Sequence, residues 1–370
     1  MKILSVCGSL EPGKDGVGDY TRKLAIELIR LGHVCSIVAL MDKFINFELK
    51  EKQEINKVYI DTLRLPFKSG LKKNSETLSL LVNSFCPNWI SLQYVPFSFN
   101  NKGLPFDLTK YLKPVLYHFS VHLMIHEPGI GISKISPFKH RIIGFLQFRI
   151  LENLIKNIRI KNVTTTNKLY QLVLSDKNIN SEILTLFSNI DSFELNLDLK
   201  ASLILNLFNL DIRERIHWKI IGIFGTLYPD SNLELELNNQ FIQAEFECKK
   251  LIFFSFGFVG ETGSNEISNL KILFNNKITF ITVGRVTEIE ASHYVQLCDC
   301  MISCTPAQHV GKSGVFAFLK LHGLNILLPR KETLPEYDIK IQDWYLDFCN
   351  RKPFYWSVEF IATEYLKLLK

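Results

Sequence analysis

The two residues best placed for acid–base chemistry are His126 and Glu127. They stand at the end of the apolar segment Val121–His126, whose pattern predicts a buried strand. In open α/β sheets, ligands bind beyond the carboxyl ends of the strands. Imidazole titrates near neutrality, and a carboxylate can take the proton of an attacking hydroxyl group. We therefore expect both residues to be catalytic; a packing histidine and a surface carboxylate are the alternatives.

A glycine-rich stretch near the start of the chain is the first candidate for binding an anion. It lies between a predicted strand, Ile3–Cys7, and a predicted amphipathic helix, Thr21–Gly32, and it contains Gly16, Gly18 and Asp19. Glycine lets the backbone approach a ligand closely, and the N-terminus of a helix presents free N–H groups. The stretch therefore predicts contact with a phosphate-bearing ligand.

The same stretch matches the turn of dinucleotide-binding folds only in part. Gly16 and Gly18 correspond to the first two glycines of that turn, whereas Thr21 stands where a third glycine is expected. The loop that starts at Gly8 is also longer than such a tight turn. A phosphate-bearing ligand other than a dinucleotide is therefore favoured, and a dinucleotide site or a plain connection are the alternatives.

A second anion site is predicted at Lys312, Ser313 and Gly314. These residues directly precede the helical pattern Val315–His322. Free backbone N–H groups, a hydroxyl and an ammonium group together suit a diphosphate. The spacing is not that of a Walker motif. The alternative is that Ser313 only caps the helix.

The cysteines indicate neither a disulfide framework nor a metal site. Cys298, Cys300 and Cys304 form the one tight cluster, and they lie in a segment that reads as a buried strand. A zinc site would need paired cysteine or histidine ligands at other spacings. His118, His122 and His126 have helical spacing, but their flanks predict a strand. We expect reduced cysteines, no metal, no other cofactor and a cytoplasmic location.

Length and composition limit the type of protein this chain can be. With 370 residues, 47% hydrophobic and 22% charged, the chain is globular and long enough for two domains. The formal net charge of +6 suits anionic partners without choosing among them. The apolar run at the N-terminus is too short for a signal peptide, and no run approaches the roughly 20 apolar residues of a membrane-spanning helix.

Strand patterns alternate with helical patterns along the whole chain, which predicts parallel sheets with crossover helices. We expect two doubly wound α/β domains, over 1–190 and 191–352, that face a ligand cleft, followed by a C-terminal helix over 353–370. The predicted strands are Ile3–Cys7, Val34–Leu40, Val58–Leu63, Trp89–Tyr94, Val121–His126, Val163–Thr166, Trp218–Gly225 with its glycine turn, Leu251–Phe256, Ile278–Val283, Cys300–Ser303 and Asn325–Leu328.

The segment from Lys134 to Lys161 is basic and amphipathic. It carries seven lysines and arginines against one acid, Glu152, together with many large apolar residues. Such a helix can lie on an anionic membrane surface, which would suit a lipid-linked substrate. The alternative is the solvated face of an ordinary domain helix. Nucleic acid is not an expected partner, because no recognised motif is present.

The chain resembles the GT-B-fold glycosyltransferases, in particular the GT4-like group that uses nucleotide sugars. The resemblance covers nearly the whole chain and rests on the order of its motifs. These motifs are Gly13-x-x-Gly16-x-Gly18-Asp19, Trp89–Tyr94, His126-Glu127, Gly284-Arg285, Cys298-Asp299, Thr305-Pro306 and Gly323–Leu327.

The resemblance implies an acceptor-binding N-terminal domain and a C-terminal domain that binds a nucleotide-diphospho-sugar without a metal. It also implies that the C-terminal helix can return to the first domain. It implies that His126 lies beside the transferred sugar and that the loop of Arg285 lies near the nucleotide base. Two features depart from the family. Many members carry two glutamates with seven residues between them, and Val310 and Phe318 stand at those positions here. The usual basic pair after the first strand of the second domain is also absent from Gly225–Asp230.

The sequence thus predicts transfer of a hexosyl unit from a nucleotide-diphospho-sugar to a hydroxyl of a polysaccharide, lipid-linked or protein glycan. Donor contacts are expected from Gly16, Gly18, Asp19 and Arg285, and from the Lys312–Gly314 segment. Two alternatives belong to other classes. One is a catalytically inactive GT-B partner or scaffold protein, and the other is a dinucleotide-binding oxidoreductase or epimerase.

Overall fold

The computed structural model describes residues 1–227, 232–329 and 337–370. The chain divides into two compact units. The first unit combines Met1–Leu186 with Val358–Lys370, and the second is Phe187–Ser357. Each unit is an α/β domain in which parallel strands alternate with helices. The C-terminal helix therefore returns to the first unit, as the family resemblance allows.

The first unit contains an eight-stranded sheet with the order β3-β4-β2-β1-β5-β6-β7-β8. All neighbouring strands are parallel except β3 and β4, which form an antiparallel hairpin at one edge. Its strands are β1 (Lys2–Cys7), β2 (Val34–Asp42), β3 (Leu49–Ile55), β4 (Val58–Pro66), β5 (Trp89–Tyr94), β6 (Ser120–Ile125), β7 (Asn162–Thr165) and β8 (Glu182–Ile183).

Helices cross between these strands. They are α1 (Gly16–Arg30), α2 (Gly70–Phe85), α3 (Pro96–Phe99), α4 (Leu108–Leu116), α5 (Phe138–Ile158) and α6 (Lys168–Ser175). The last helix of the chain, Val358–Leu368, packs against α1, and its Tyr365 ring lies 5.1 Å from the ring of His122. This contact explains why the C-terminal helix belongs to the first unit.

The second unit contains five parallel strands in the order β11-β10-β9-β12-β13. They are β9 (Trp218–Phe224), β10 (Lys250–Phe256), β11 (Ile278–Val283), β12 (Cys300–Ile302) and β13 (Asn325–Leu327). Neighbouring residues of β10 point to opposite faces, so that Phe253 joins one apolar cluster and Phe254 the other. Both faces of the sheet are therefore buried, as in doubly wound domains.

Six helices accompany these strands in the described part of the second unit. They are α7 (Leu197–Phe208), α8 (Leu233–Phe246), α9 (Gly260–Leu273), α10 (Glu288–Val295), α11 (Gly314–Leu321) and α12 (Asp338–Cys349). The C-terminal helix of the first unit is α13 (Val358–Leu368). Within the described residues, no helix has the length and the apolar character that crossing a membrane would require.

Some local features differ from the predictions. Helix α1 begins at Gly16 and not at Thr21, because Asp15 caps it in front of the two glycines. Strands β3 and β8 were not predicted, because the charged residues of β3 give no apolar pattern and β8 is two residues long. The hairpin turns at Asn56 and Lys57, which both have positive φ (50° and 63°), as a type I′ turn requires.

Candidate functional site

His126 lies just beyond the carboxyl end of β6 and is buried. Its backbone N–H donates to the carbonyl of Tyr94 at 3.0 Å, which holds the residue against the end of β5. Its Nε2 atom lies 2.8 Å from Oε1 of Gln93, and its ring meets the edge of the Tyr20 ring at 5.1 Å. The start of α1 and the end of β6 therefore come together at His126.

A chain of hydrogen bonds leads from His126 through Gln93 and Ser91 to His122, with each group donating to the next. Gln93 donates its Nε2–H to Ser91 Oγ (2.8 Å), and this orients its Oε1 atom to accept from His126 Nε2–H. Ser91 Oγ contacts Nδ1 of His122 at 2.9 Å, and His122 Nε2 contacts Thr164 Oγ1 at 2.9 Å. His126 is thus held as the Nε2–H tautomer, and its Nδ1 atom keeps a lone pair.

Burial determines the charge of both histidines. It lowers the pKa of His126 to about 3 because the imidazolium would lose its hydration. The pKa of His122 is lowered to about 3, first by burial and then by the nearby His126. Both rings are therefore neutral at physiological pH. His126 can orient a substrate by hydrogen bonding, but it is a weak base.

The N-terminus of α1 is occupied by the protein itself. Oδ1 of Asp15 accepts the N–H groups of Val17 (2.9 Å) and Gly18 (3.0 Å). These are the amides that would hold an anion at a helix start. Asp19 accepts the Gly13 N–H and pairs with Arg22. The structure thus uses Asp15 and Asp19 to order the glycine stretch.

The two glycines of the stretch differ in their surroundings. A Cβ atom on Gly18 would lie 2.5 Å from the carbonyl oxygen of Ser9, so this glycine permits close packing of α1 on the preceding loop. A Cβ atom on Gly16 would meet nothing within 4 Å. Gly16 is exposed, whereas Gly18 is buried. Of these two glycines, Gly16 is therefore the one whose backbone is accessible to a ligand.

The crevice between β1 and β5, where the strand order reverses, is closed. A Cβ atom on Gly8 would lie 2.5 Å from Cβ of Ser98, which belongs to α3. A buried charge cluster anchors the same loop: Arg64 Nε contacts Asp42 at 2.8 Å, and Arg64 also pairs with Glu11 at 2.6 Å. The ligand position of a dinucleotide-binding domain is thus filled by side chains in the first unit.

In the second unit the strand order reverses between β9 and β12. Gly225, which directly follows β9, has no side chain that would cover the end of this strand. Gly225 has φ +83°, a conformation that side chains rarely adopt, and its nearest neighbour is Cγ2 of Val315, 4.0 Å from an ideal Cβ position. Val315 belongs to the first turn of α11. The end of β9 therefore faces the N-terminus of α11.

Several hydrogen-bond donors converge on this helix start. Ser313 Oγ caps Phe316 N–H at 3.1 Å and accepts from Thr305 Oγ1 at 3.0 Å, which leaves its own proton to donate outward. An ideal Cβ on Gly314 would lie 3.6 Å from Nδ2 of Asn189. Lys312 immediately precedes the cap and is half-buried. Asn189 was not among the predicted site residues, because its sequence signal is no more than a polar residue close to the domain boundary.

Arg285 lies beyond the end of β11, where it is exposed. Its guanidinium group stacks over the ring of Phe258, 4.8 Å from the ring centre, and Phe258 follows β10. The two loops are joined because Gly257 N–H donates to the carbonyl of Gly284 at 2.9 Å. An exposed aromatic ring with an arginine on one face is a platform on which a planar base could stack.

The positions of the missing glutamates are filled by packing residues. Val310 and Phe318 are each 1% exposed and belong to separate apolar clusters. No carboxylate therefore replaces the family's acidic pair at these two positions. The other departure concerns Gly225–Asp230, of which Tyr228–Asp230 lie outside the described residues.

Glu127 follows His126 and is half-buried. Cys298, Cys300 and Cys304 are buried, and burial raises the pKa of Cys300 to about 12. Across residues 1–227, 232–329 and 337–370, no three histidine, cysteine or acidic side chains are grouped as metal ligands would be.

Two Rossmann-like units in one chain are the architecture of the GT-B fold, and comparisons with solved structures agree. The chain is similar to a glycosyltransferase from Rickettsia africae ESF-5, with a TM-score of 0.57 and 12% identity over 100% of this chain and 97% of that one. It is also similar to the catalytic domain of starch synthase IV from Arabidopsis thaliana, solved with ADP and acarbose. That match has a TM-score of 0.53 and 11% identity over 100% of this chain and 98% of that one.

A third similar structure is the N-terminal domain of a trehalose-6-phosphate phosphatase from Candida albicans (TM-score 0.54, 10% identity, 100% and 96% of the two chains). No protein-family model and no curated protein sequence matches the chain. At these identities the similarity shows that the chain has the GT-B fold. Because one fold supports many activities, the activity has to be argued from the site.

Proposed function

We propose that this protein transfers a hexosyl unit from a nucleotide-diphospho-sugar to an acceptor hydroxyl. The main supporting observation is that Gly225 lies next to the first turn of α11, where the strand order of the second sheet reverses. A bare strand end opposite a helix N-terminus is the arrangement that receives a diphosphate in open α/β sheets.

The donor diphosphate would be held by the first-turn amides of α11, the Ser313 hydroxyl, the Asn189 amide and the Lys312 ammonium group. These donors stabilise the negative charge that develops on the diphosphate as the glycosidic bond breaks, so the leaving group needs no metal ion. The nucleotide base would stack at Phe258 and Arg285. The proposal thus assigns the nucleotide to the second unit alone.

In the first unit, His126 would receive a hydroxyl of the acceptor or sugar at its Nδ1 lone pair. Because burial keeps this ring neutral, its role is to orient a hydroxyl group and not to remove its proton. If the reaction inverts the anomeric centre, Glu127 is the candidate base. Gly16 would contribute backbone contact, while Gly18 and Asp19 act by shaping α1 and its loop.

An inactive GT-B protein is the second candidate, because apolar Val310 and Phe318 replace the family's acidic pair. Calorimetry with uridine, adenosine and guanosine diphosphates, followed by a diphosphate-release assay with the matching sugars, separates the candidates. Binding with turnover supports the transferase. Binding without turnover supports an inactive protein that has kept its nucleotide site. No binding together with no turnover contradicts the transferase and leaves the inactive partner or scaffold protein. The dinucleotide alternative is disfavoured, since Ser98 fills the crevice that a dinucleotide would need.

A further inference from the structure

One exposed apolar face lies at the start of α5. Phe138, Ile142 and Phe145 follow helical spacing and are 74%, 46% and 61% exposed, and Ile135, just before the helix, is 86% exposed. Their spacing places the three helical residues on one side of α5. The opposite side of the helix is buried through Gly144, Gln147 and Leu151. A contiguous apolar surface of this kind marks an interaction site.

The charge around this face has one sign. Lys134, Lys139 and Arg141 are exposed beside the apolar residues. The 24 residues from Pro128 to Leu151 contain no aspartate or glutamate, whereas 37 acids in 370 residues would give two or three in a segment of that length. The face therefore combines exposed apolar side chains with uncompensated positive charge.

The backbone beneath the face is tightly packed. Oε1 of Gln147 accepts the Ile130 N–H at 2.8 Å, and its Nε2 atom donates to the carbonyl of Gly103 at 3.0 Å. A Cβ atom on Gly144 would lie 2.0 Å from the carbonyl oxygen of Ile130, so the loop rests directly on the helix. The face is thus a formed surface that needs no rearrangement to meet a partner.

We propose that this face, defined by Lys134–Phe145, docks on a membrane rich in anionic lipids. Phenylalanine and isoleucine side chains can enter the boundary between headgroups and acyl chains, while lysine and arginine remain at the level of the phosphates. A second copy of this chain is a poorer partner, because two-fold pairing would bring the same positive groups opposite one another. The inference does not depend on donor chemistry and goes beyond the proposed function.

Flotation of the full chain with lipid vesicles tests this proposal. We expect binding to vesicles that contain phosphatidylglycerol, little binding to pure phosphatidylcholine, and weaker binding as salt is added. Neutralising Lys134, Lys139 and Arg141 with glutamine should weaken binding about fivefold for each charge removed. The double variant F138S/F145S should weaken it on the order of tenfold or more.

Matched controls come from elsewhere on the surface. F246S removes a side chain that is 91% exposed at the end of α8, and K72Q/K73Q/K271Q removes three exposed charges; both should bind vesicles like the wild type. The proposal is overturned if anionic vesicles do not bind, if neutral vesicles bind equally, or if the controls weaken binding as much. A dimer that F138S/F145S dissociates, without vesicle binding, would identify a second copy as the partner. Nucleotide affinity should be unchanged in F138S/F145S, which keeps this test separate from that of the donor site.

Discussion

Nε2 of His126 lies 2.8 Å from Oε1 of Gln93, and this contact sets what the histidine can do. Gln93 is itself oriented by its bond to Ser91, so the His126 proton is held on Nε2. The imidazole is therefore a neutral, preoriented group with one lone pair. This arrangement suits the positioning of a hydroxyl better than the removal of its proton.

Exchanging Gln93 for glutamate should change the charge of His126. A carboxylate next to Nε2 favours the imidazolium, so the pKa of His126 should rise from about 3 toward neutrality. Gln93→Met, which adds no charge, is the control and should leave the pKa low. Histidine NMR titration measures both variants, and an unchanged His126 titration in Gln93→Glu would contradict the described hydrogen bond.

The two buried histidines should make the first unit sensitive to acid. Their pKa values are about 3 in the folded protein and about 6.5 when unfolded, so only the unfolded state takes up protons between these values. Stability should therefore be fully present above pH 6.5 and fall below it, by roughly 1.4 kcal/mol per pH unit for each histidine. Urea unfolding from pH 7 to pH 5 measures this loss.

The variant His122→Gln serves as the comparison for acid sensitivity. It lowers the stability at pH 7 because the contacts to Ser91 and Thr164 are altered, but it removes one of the two titrating groups. The decrease between pH 7 and pH 5 should be smaller than in the wild type by about 2 kcal/mol. An equal decrease in both proteins would show that His122 is not the source.

Gly18 and Gly16 should respond in opposite ways to alanine. Gly18→Ala forces a Cβ atom to within 2.5 Å of a backbone oxygen, and the resulting shift of α1 should cost about 1–3 kcal/mol. Gly16→Ala meets no neighbour within 4 Å and should be neutral or stabilise the protein by up to about 1 kcal/mol. Urea denaturation compares them, and equal destabilisation would contradict the packing described for α1.

Much of the fold follows from periodicity in the sequence. The predicted strands Trp89–Tyr94 and Ile278–Val283 coincide with the observed elements. Buried parallel strands have continuous apolar runs, which can be recognised in the sequence without knowledge of the tertiary structure. Strand β3 could not be predicted from its own sequence. It is an edge strand rich in charged residues, and its pairing with β4 and the turn at Asn56 and Lys57 specify it.

The candidate site was harder to predict for a physical reason. His126 was expected at the end of a strand, and Ser313 at the start of a helix as a phosphate contact, with the helix cap as the alternative; both rest on local signals. The roles of Asp15 and Asn189 depend on where their side chains point, and the sequence does not reveal that. Asp15 takes the amides that were assigned to a ligand, and the glycine stretch is consequently a formed helix start.

Lys312→Ala should weaken the binding of a nucleotide sugar more than that of the acceptor. The loss of one ammonium group beside a diphosphate should reduce donor affinity on the order of tenfold. Lys320→Ala, in the last turn of the same helix α11, is the matched control and should bind the donor normally. Calorimetric titration measures both, and equal donor affinity in the two variants would remove Lys312 from the site.

The central claim, that the N-terminus of α11 receives the donor diphosphate, is tested most directly by nucleotide titration of Gly314→Ala and Gly314→Glu. A Cβ atom at this position lies 3.6 Å from its nearest neighbour, so both variants should fold. The account predicts that a nucleoside diphosphate binds the wild type and the alanine variant, whereas a carboxylate at the helix start repels it and abolishes binding. Equal affinity in the glutamate variant, or no binding of any nucleoside diphosphate to the wild type, would contradict the account.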